Sequence, residues 1–513
     1  MRKRFVGTLI LFLTIVVNAW CQKNDYVWLQ GYRSEIGYDS IQQVWYGITF
    51  MDFNQQPVAK YYDSLGISLD QTNTSFSSDD GNLLFYSNCV DVYNSLHNII
   101  ENGDSINWGG VITQVNPGIA VYGYRHEQGM YAFASPSGHN QYFLVNIFPD
   151  TISGEIARYD KLKYHLIDMN ANAGLGKVIQ RDVNIDLNTF DNRLSSEMAA
   201  IRHGNGRDWW LILQYQTTNC YHVVLLDPTG FHVIPYDQNC GGSMQPYKNI
   251  GKFATTPDGN KVVYANTSTG ITIFNFDRCS GSLTQPYTIA ADSGFYVEGA
   301  CISPNNRFLY ISGGYSAYQY DLWATDIAAS RQTIAVYDGH LSPFPSLFGN
   351  MQLAPDGRIY VDCGNGSNVY HVINTPDKPG DSCQFLQHSF PLISYTSGVP
   401  NFPNYRLGAL PGSPCDTLGT SISQLTTHNP QLTIYPNPAT EFVVIDYATA
   451  ADWSKGELQL FIYDTKGAVI HEQPLPMYSG FQKIACAQWP SGVYQATIKR
   501  GETTIATGRV VKQ

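Results

Sequence analysis

Short apolar runs, each introduced by a polar turn, recur through the middle of this chain. The clearest copies are ATTPDGNKVVY at 254–264, LAPDGRIYV at 353–361, CISPNNRFLYI at 301–311 and SSDDGNLLFY at 77–86, with looser copies around 135–138 and 202–207. Pro presets the backbone for a turn, Asp accepts hydrogen bonds from the amides that follow, and Gly accepts the positive φ that closes the turn. The apolar run after each turn is typical of a buried strand. The pattern therefore predicts repeated strand-turn-strand units.

The spacing of these copies indicates how the units assemble. Successive copies lie roughly 45 to 65 residues apart, close to the length of one four-stranded blade of a β-propeller. One blade cannot bury both of its faces, so blades stack around a channel and the ring closes on itself. An array of β-sandwiches would instead show turns about every 8 to 12 residues. Six copies predict an all-β propeller domain of six or seven blades over residues 25–411.

Composition supports this fold class and excludes one class of partner. Only 14% of the 513 residues are charged, whereas 35 are Tyr, 24 are Phe and 45 are Gly. Aromatic side chains cover the pleated faces of sheets, and Gly serves their turns. The formal net charge is −11, and no basic stripe is available to displace the counterions of a nucleic acid. A nucleic-acid partner is therefore not expected.

The N-terminus has the features of a signal peptide. Residues 2–4 are basic, and the apolar run 5–17 that follows is too short to span a bilayer comfortably. Cleavage is expected after Cys21, which makes residues 1–21 the signal peptide. Lipidation of Cys21 is the alternative, and the bulky Trp20 beside it disfavours that modification. No later stretch reaches the roughly twenty apolar residues of a membrane helix, so no transmembrane segment is expected.

The composition changes after the propeller region. Residues 412–431 are rich in Ser, Thr and Asn and are predicted to form a flexible linker. Residues 432–513 contain several short segments with alternating polar and apolar residues, which predicts a small β-sandwich of the immunoglobulin type. The chain is thus divided into a signal peptide, a large ring, a linker and a small C-terminal domain.

The C-terminal domain carries a set of motif residues in a fixed order. They are Tyr435, Pro436, Asn437, Pro438, Gly492, Tyr494 and Lys512. With these motifs, residues 432–513 resemble the type A C-terminal sorting domain of proteins exported by the type IX secretion system of Bacteroidetes. The resemblance implies that the type IX translocon is a partner and that the protein passes through the periplasm. It also implies a secreted or outer-membrane surface location, and whether the sorting domain is then removed stays open.

Two parts of the ring region carry a second resemblance. One combines LFYSNC at 84–89 with NIIENGD at 98–104, and the other combines APDGRIY at 354–360, VINTP at 372–376 and VPNFPN at 399–404. They are similar to the first and last blades of a group of exported propeller-like proteins of Bacteroidetes. These motifs indicate the fold and do not indicate a catalytic or binding site.

The ten cysteines are interpreted first as disulfides, because the envelope outside the cytoplasm permits them. No Cys-x-x-Cys and no His pair at zinc-finger spacing occurs, which disfavours a structural metal site. Three pairs about twenty residues apart suit hairpin-scale bridges, each contributing about 3 kcal/mol. The expected pairs are Cys220 with Cys240, Cys279 with Cys301, and Cys363 with Cys383. The pairing of Cys89 and Cys415 stays open, and Cys486 is expected to be free.

Catalytic signatures are missing from the chain. It has no Gly-x-Ser-x-Gly elbow, no His-Glu-x-x-His zinc helix, no P-loop and no dinucleotide fingerprint, so no cofactor and no metal are expected. Four polar residues remain as weak site candidates. Arg202, His203 and Asp208 lie in a Gly-rich turn, for which a solvated turn is the simpler reading, and Glu197 is a lone carboxylate without a visible partner.

Two functional hypotheses follow from this pattern. The first is a secreted or surface-bound propeller that binds a carbohydrate or a protein through its loops. The alternative is a hydrolase or lyase, similar to propeller glycosidases and lactonases, with its site at the channel mouth. Carboxylates or His residues that converge from different blades would favour the enzyme, whereas a lining of Tyr, Asn and Ser would favour binding. Whether the protein is an enzyme stays open, and the pattern favours a protein that is not one.

Overall fold

The structure is a computed structural model that describes most of the chain. The described residues are 22–40, 44–152, 155–187, 194–215, 220–234, 238, 251–416, 431–448, 458–475, 479–501 and 503–513. The predicted signal peptide and most of the predicted linker lie outside these ranges. The chain forms two compact units, Met1–Gly419 and Thr420–Gln513, and both are built from β-strands. No helix within the described ranges is long and apolar enough to cross a membrane.

The described part of the first unit contains seven main antiparallel sheets in chain order, and a small hairpin precedes the second strand of the first sheet. The first sheet and this hairpin comprise β1 (Val27–Gly31), β2 (Tyr38–Asp39), β3 (Val44–Trp45), β4 (Ile48–Asp52) and β5 (Ala59–Asp63). The second sheet comprises β6 (Thr74–Ser77), β7 (Leu83–Ser87) and β8 (Val92–Asn94). The third comprises β9 (Met130–Ala134), β10 (Gln141–Ile152), β11 (Glu155–Asp168) and β12 (Lys177–Ile185).

The remaining four sheets each consist of four consecutive strands. The fourth comprises β13 (Leu194–Arg202), β14 (Trp209–Tyr215), β15 (Tyr221–Asp227) and β16 (Gly230–Val233). The fifth comprises β17 (Gly251–Thr255), β18 (Lys261–Asn266), β19 (Gly270–Asp277) and β20 (Ser282–Ile289). The sixth comprises β21 (Gly299–Ile302), β22 (Phe308–Gly313), β23 (Ser316–Asp321) and β24 (Gln332–Val336). The seventh comprises β25 (Met351–Leu353), β26 (Ile359–Val361), β27 (Ser367–Ile373) and β28 (Phe385–Thr396).

Each sheet packs against the next, and the seventh packs against the first, so the sheets close into a β-propeller. The helices are short and lie in the connections. They are a π-helix at Val111–Val115, the α-helix α1 (Ile119–Tyr122), and 3-10 helices at Ser34–Ile36, Asn172–Gly174 and Gly380–Cys383. The predicted all-β propeller is confirmed, with seven blades in the described residues.

The turn motif occupies one equivalent position in six of the sheets. All six copies connect the first strand of a sheet to its second strand, in sheets two to seven. In the fifth sheet, Gly259 has a φ of +72° and its amide donates to Thr256 O (2.8 Å), while Asp258 accepts from the Asn260 amide (3.0 Å). The residues therefore act as the sequence pattern predicts. We call the end of the ring with these turns the lower face, and the end where the innermost strands begin the upper face.

The first sheet carries no copy of the motif because its inner strand runs in the opposite direction. Gly31 exchanges backbone hydrogen bonds with Leu69, above the start of β6. At its other end, β1 accepts a hydrogen bond at Val27 O from Ser75 Oγ (2.5 Å). Strand β1 thus runs antiparallel to its neighbour β6. The seven sheets therefore contain only six copies of the turn motif.

The last part of the ring, residues 399–411, runs through the centre of the propeller, and we call it the axial segment. Asn401 and Asn404 donate side-chain hydrogen bonds to backbone carbonyls of the third and fifth sheets (2.8 Å each). Tyr405 is fully buried, and its hydroxyl donates to a carbonyl of β9 (2.8 Å). The amide of Leu410 bonds to the lower turn of the fourth sheet. The axial segment thus descends from the upper to the lower face.

A disulfide holds the end of the axial segment. Cys415 is bonded to Cys279, which lies in the lower turn between β19 and β20. The predicted Cys279–Cys301 bridge is therefore wrong, and Cys301 is a buried free thiol. The physical reason is that the chain between the two cysteines runs up β20, the outermost strand of the fifth sheet, and then down into β21, the innermost strand of the sixth sheet. Cys301 consequently lies in β21, inside the following sheet.

The other cysteine predictions have different outcomes. Cys363 and Cys383 are both buried and free, so their predicted bridge is wrong. Strand β27 separates them, which places Cys363 at the upper face and Cys383 near the lower end of the seventh sheet. Cys220 is disulfide-bonded, and Cys240 lies outside the described residues. Cys486 is a buried free thiol.

The second unit is an immunoglobulin-like sandwich of two sheets. One sheet comprises β29 (Gln431–Tyr435), β30 (Phe442–Ala448) and β33 (Ser479–Ala485), in the order β29-β30-β33. The other comprises β31 (Leu458–Tyr463), β32 (Val469–Leu475), β34 (Gly492–Arg500) and β35 (Thr503–Lys512), in the order β32-β31-β34-β35. Buried apolar side chains from both sheets form a separate core. Asn437 of the motif fixes the last strand, since its side chain donates to Arg509 O and accepts from the Val511 amide (2.8 Å each).

We expect the Cys279→Ser/Cys415→Ser variant to lose stability in the first unit. The bond closes a loop with a sequence separation of 136, for which chain entropy gives a contribution of up to about 5 kcal/mol. Denaturant unfolding of the oxidised chain, followed by Trp fluorescence, measures the loss. Cys279→Ser alone should cost as much as the double variant, because either change removes the bond. Unchanged unfolding in both variants would contradict this account.

Candidate functional site

Charged side chains from five successive sheets converge at the upper face, and we call them the central cluster. They are Glu127 (three residues before β9), Glu197 (in β13), Lys252 (in β17), Glu298 (immediately before β21) and Asp362 (immediately after β26). Each lies near the upper end of an inner strand or of its partner strand. The ring therefore brings together residues that are far apart in the sequence.

Lys252 is paired inside this cluster. Its Nζ lies 2.6 Å from Glu127 Oε2, and the two side chains are only 5% and 10% exposed. Burial by itself would lower the pKa of Lys252, but the carboxylates of Glu127 and Glu197 more than offset this and raise it. Lys252 therefore stays an ammonium ion among carboxyl groups.

Glu197 is held in a dry environment. Burial raises its pKa to about 7, although the Lys252 charge and the Ser196 hydroxyl act in the opposite direction. Ser196 Oγ donates to Glu197 Oε1 (2.6 Å), whereas Oε2 has no hydrogen-bond partner among the described residues. Glu197 is therefore a buried carboxyl that titrates close to neutral pH.

Asp362 and Glu298 are also shifted towards the neutral form. Burial, together with the charge of Glu127, raises the pKa of Asp362 well above its usual range. Asp362 Oδ1 accepts from two backbone amides, while Oδ2 has no partner within the described ranges. Burial and Glu127 likewise raise the pKa of Glu298, which is half-buried and is hydrogen-bonded to Tyr296. The charged side chains around these two carboxyls thus disfavour their ionised forms.

Gln128 separates the cluster from the space below it. Its side-chain amide donates to Phe253 O and accepts from the Phe253 amide (2.8 Å each), which links the third sheet to the fifth. Below it lies an axial cavity of about 320 Å³, bounded by the inner strands and by residues 401–404 and extending to the turns of the lower face. The cluster consequently faces the upper face.

Large apolar side chains are exposed on loops and on the β2–β3 hairpin at this upper face, and we call them the aromatic rim. They are Tyr38, Trp45, Tyr296, Tyr315, Leu341 and Phe344, all between 37% and 66% exposed. Tyr38 packs on Trp45 with ring centroids 4.9 Å apart, and Tyr315 packs on Tyr337 at 6.0 Å. The rim therefore consists of separate small aromatic platforms.

A second polar group lies beside the rim. Asp70 is buried, and its Oδ2 lies 3.4 Å from Nε of the half-exposed Arg125. The hydroxyl of Tyr32 lies 3.3 Å from Asp70 Oδ1. Burial raises the pKa of Asp70 to about 6, although the Arg125 charge lowers it. This group adds one exposed cation and several hydroxyls to the upper face.

The structure places only one of the four weak site candidates in the central cluster. Glu197 belongs to it, whereas Arg202, His203 and Asp208 lie at the lower face between β13 and β14. Arg202 donates to Gly206 O (2.9 Å), His203 Nε2 lies 3.1 Å from a backbone carbonyl, and Asp208 pairs with Arg207 (2.6 Å). These three side chains hold their own turn and its neighbour together. All three residues are buried (8%, 8% and 4% exposed), so the turn is not solvated as the simpler interpretation expected.

Sequence reasoning missed Glu127, Lys252, Glu298 and Asp362. The available signal was positional, because Glu127, Glu197, Lys252 and Glu298 each lie two to eight residues before the turn motif of their own sheet. Superimposing the copies of the motif would have placed these side chains at similar heights on the axis. Among the described residues, no three His, Cys, Asp or Glu side chains are placed to hold a metal ion.

Comparison with known proteins identifies the small domain. Residues 433–513 match the family described as the secretion system C-terminal sorting domain, which confirms the type IX assignment. This domain directs export to the cell surface or out of the cell. No curated protein matches the chain.

Solved structures match the chain at low similarity. One, provisionally named a 6-phosphogluconolactonase from Bacteroides uniformis, is 12% identical with a TM-score of 0.43, and the match covers 72% of this chain and 98% of that one. Another with the same provisional name, from Bacteroides fragilis, is 12% identical with a TM-score of 0.43, covering 73% and 98%. A gluconolactonase from Xanthomonas campestris is 11% identical with a TM-score of 0.27, covering 66% and 84%. These values are too low to transfer an activity to this chain.

We expect Glu197→Gln to flatten the pH dependence of stability. The folded pKa of about 7 lies above the ordinary value of 4.5. The stability gained from the neutral carboxyl is therefore fully present below about pH 4.5 and is lost as the pH rises through about 7. Gln cannot ionise, so this loss disappears. Melting temperatures between pH 5 and 8 measure the effect.

Glu101→Gln is the matched control for this variant. Glu101 is exposed and paired with Lys177 (2.8 Å) on the outside of the ring, so its replacement should leave the pH profile of the parent chain. A melting temperature that falls equally with pH in Glu197→Gln and in the parent would contradict the assignment.

Proposed function

We propose that the propeller is an exported carbohydrate-binding module whose ligand docks on the upper face. The observation that carries the proposal is the aromatic rim, six large apolar side chains exposed on loops and on the β2–β3 hairpin at one end of the ring. Loops on a rigid scaffold commonly supply binding residues. Aromatic rings present a large apolar surface at low conformational cost, and Tyr and Trp also offer a polar group at one edge.

The layout of the rim favours a carbohydrate over a protein partner. A protein interface needs a continuous patch that buries roughly 800 Å² on each partner. The rim instead offers separate platforms, such as the Tyr38–Trp45 pair and the Tyr315–Tyr337 pair. Sugar rings are small, with one apolar face and many hydroxyls, and they suit such platforms next to carboxylates and tyrosine hydroxyls. The net charge of −11 disfavours anionic polymers.

A hydrolase is the second candidate, and the converging carboxyl groups of the central cluster favour it. Glycoside hydrolysis usually needs two carboxyl groups that reach the scissile bond from opposite sides. Glu197 and Asp362 are only 4% and 1% exposed, so neither reaches a bound substrate in this conformation. Glu298 is half-buried, and the Glu127 side chain is 10% exposed and paired with Lys252. Because the carboxyls of Glu197 and Asp362 are buried, we rank binding above catalysis.

The two units have separate tasks in this proposal. The sorting domain serves export, and the propeller recognises the ligand. The support is that each unit has its own apolar core, and that the rim residues all belong to the first unit.

We expect Tyr315→Ala to weaken carbohydrate binding by the full chain. Loss of one aromatic platform costs roughly 1.4 kcal/mol, which is about a tenfold lower affinity. A glycan array with the parent chain identifies the best oligosaccharide, and titration calorimetry then compares the variants.

Trp323→Ala is the matched control, because Trp323 follows the other end of the same strand, β23, and is 64% exposed against 66% for Tyr315. It should bind like the parent chain. Equal losses in both variants, or no binding to any glycan, would contradict the proposal. Cleavage of the bound oligosaccharide would establish the hydrolase instead.

We expect a chain truncated before Leu432 to remain in the periplasm as a folded propeller. A chain that lacks only residues 505–512 should behave in the same way, because β35 pairs with β34 along its length and its loss exposes an unpaired edge. Cell fractionation with immunoblotting measures the location. Tyr315→Ala serves as the control that reaches the surface normally. Surface delivery of either truncated chain in normal amounts would contradict the division of tasks.

A further inference from the structure

We infer that the ligand of the upper face carries an ammonium group, which contacts Glu298 at the mouth of the central cluster. The inference rests on the proposed function and adds to it the chemical class of the sugar, an amino sugar with a free amine. The observations behind it are the charge balance of the cluster, its unpartnered buried oxygens and the access to Glu298.

The cluster contains more carboxyl groups than cations. It has four carboxyls, Glu127, Glu197, Glu298 and Asp362, against the single ammonium of Lys252. Lys252 is closest to Glu127, at 2.6 Å. The negative charge of Glu127 acts on Glu298 and Asp362 as a like charge. A second cation at this place would therefore be stabilised.

Two buried carboxyl oxygen atoms of the cluster make no hydrogen bond within the described residues. They are Asp362 Oδ2 and Glu197 Oε2, and their residues are 1% and 4% exposed. A buried polar atom without a partner costs roughly 1 to 3 kcal/mol. The negative charge of Glu127 contributes to the raised pKa of both carboxyls. An additional positive charge near Glu298 would favour ionisation of Asp362, whose pKa the charge of Glu298 helps to raise.

We assign the ligand contact to Glu298, because Glu127 is paired with Lys252 and the carboxyls of Glu197 and Asp362 are buried. Glu298 is half-buried, and its hydrogen-bond partner Tyr296 is 37% exposed. The amide of Glu298 is bonded to Ser312 O (2.8 Å), next to the loop that carries Tyr315. A sugar on this part of the rim therefore has Glu298 beside it. An ammonium group there gains a charge-assisted hydrogen bond and lies near an aromatic ring.

Three oligosaccharides of equal length and linkage test the inference. They are β-1,4-linked oligomers of glucosamine, of N-acetylglucosamine and of glucose, titrated into the full chain at pH 7 and low salt. We expect the glucosamine oligomer to bind at least about tenfold more tightly than the other two. This preference should fall at a pH low enough to protonate Glu298, whose pKa is raised by burial. The titratable groups around Glu298 are Glu127, Lys252, Tyr296 and Asp362.

Glu298→Gln should reduce binding of the glucosamine oligomer to the level of the glucose oligomer, and Glu101→Gln should not, although both remove one negative charge. Equal binding of the three oligomers to the parent chain overturns the inference and leaves carbohydrate binding intact. Binding of spermidine with no binding of any oligosaccharide retains the ammonium site and overturns the proposed function. A preference that persists in Glu298→Gln overturns the assigned contact. The comparison on the parent chain needs no variant to fold.

Discussion

The propeller depends on how the two ends of its chain meet at the axis. Trp28 of β1 is fully buried and packs on Phe402 of the axial segment, with ring centroids 5.7 Å apart. Beside them Arg406 pairs with Asp25 at 2.5 Å, and burial raises the pKa of Asp25 even though Arg406 lowers it. Removing one partner of such a pair leaves a buried charge, which is far more costly than the pair itself. The ring is therefore complete only when residues about 380 positions apart are in place.

The same closed ring accounts for the charged centre. The inner strands begin at the same height on the axis, so side chains from different sheets meet there. The surrounding sheets exclude water from this place. Charges interact strongly in such surroundings, so a lysine and several carboxyls alter each other's titration. Gln128 closes the space beneath them and adopts a φ of +57°, which a non-glycine residue seldom does. The site is thus a product of ring geometry rather than of any local motif.

Local signals in the sequence predicted the local features correctly. The turn motif and the sorting domain are both encoded within short segments, and both are confirmed. The reversed first sheet was not predictable, since β1 has no turn motif and its direction depends on contacts with β6 and the axial segment. The Cys279–Cys301 pairing failed because proximity in sequence does not measure proximity across neighbouring sheets. Glu197 was found only as a lone carboxylate, because its partners come from other sheets.

The Cys279–Cys415 bond also determines where mechanical load enters the ring. The chain beyond Cys415 leads to the unit that the export machinery engages, so tension on that part of the chain reaches the first unit at Cys415. The covalent bond transmits the tension to the turn between β19 and β20. Without it, the same pull would act on the hydrogen bonds of the axial segment, one after another from Leu410 upward. The bond thus makes it harder to pull the axial segment out of the ring from its C-terminal end.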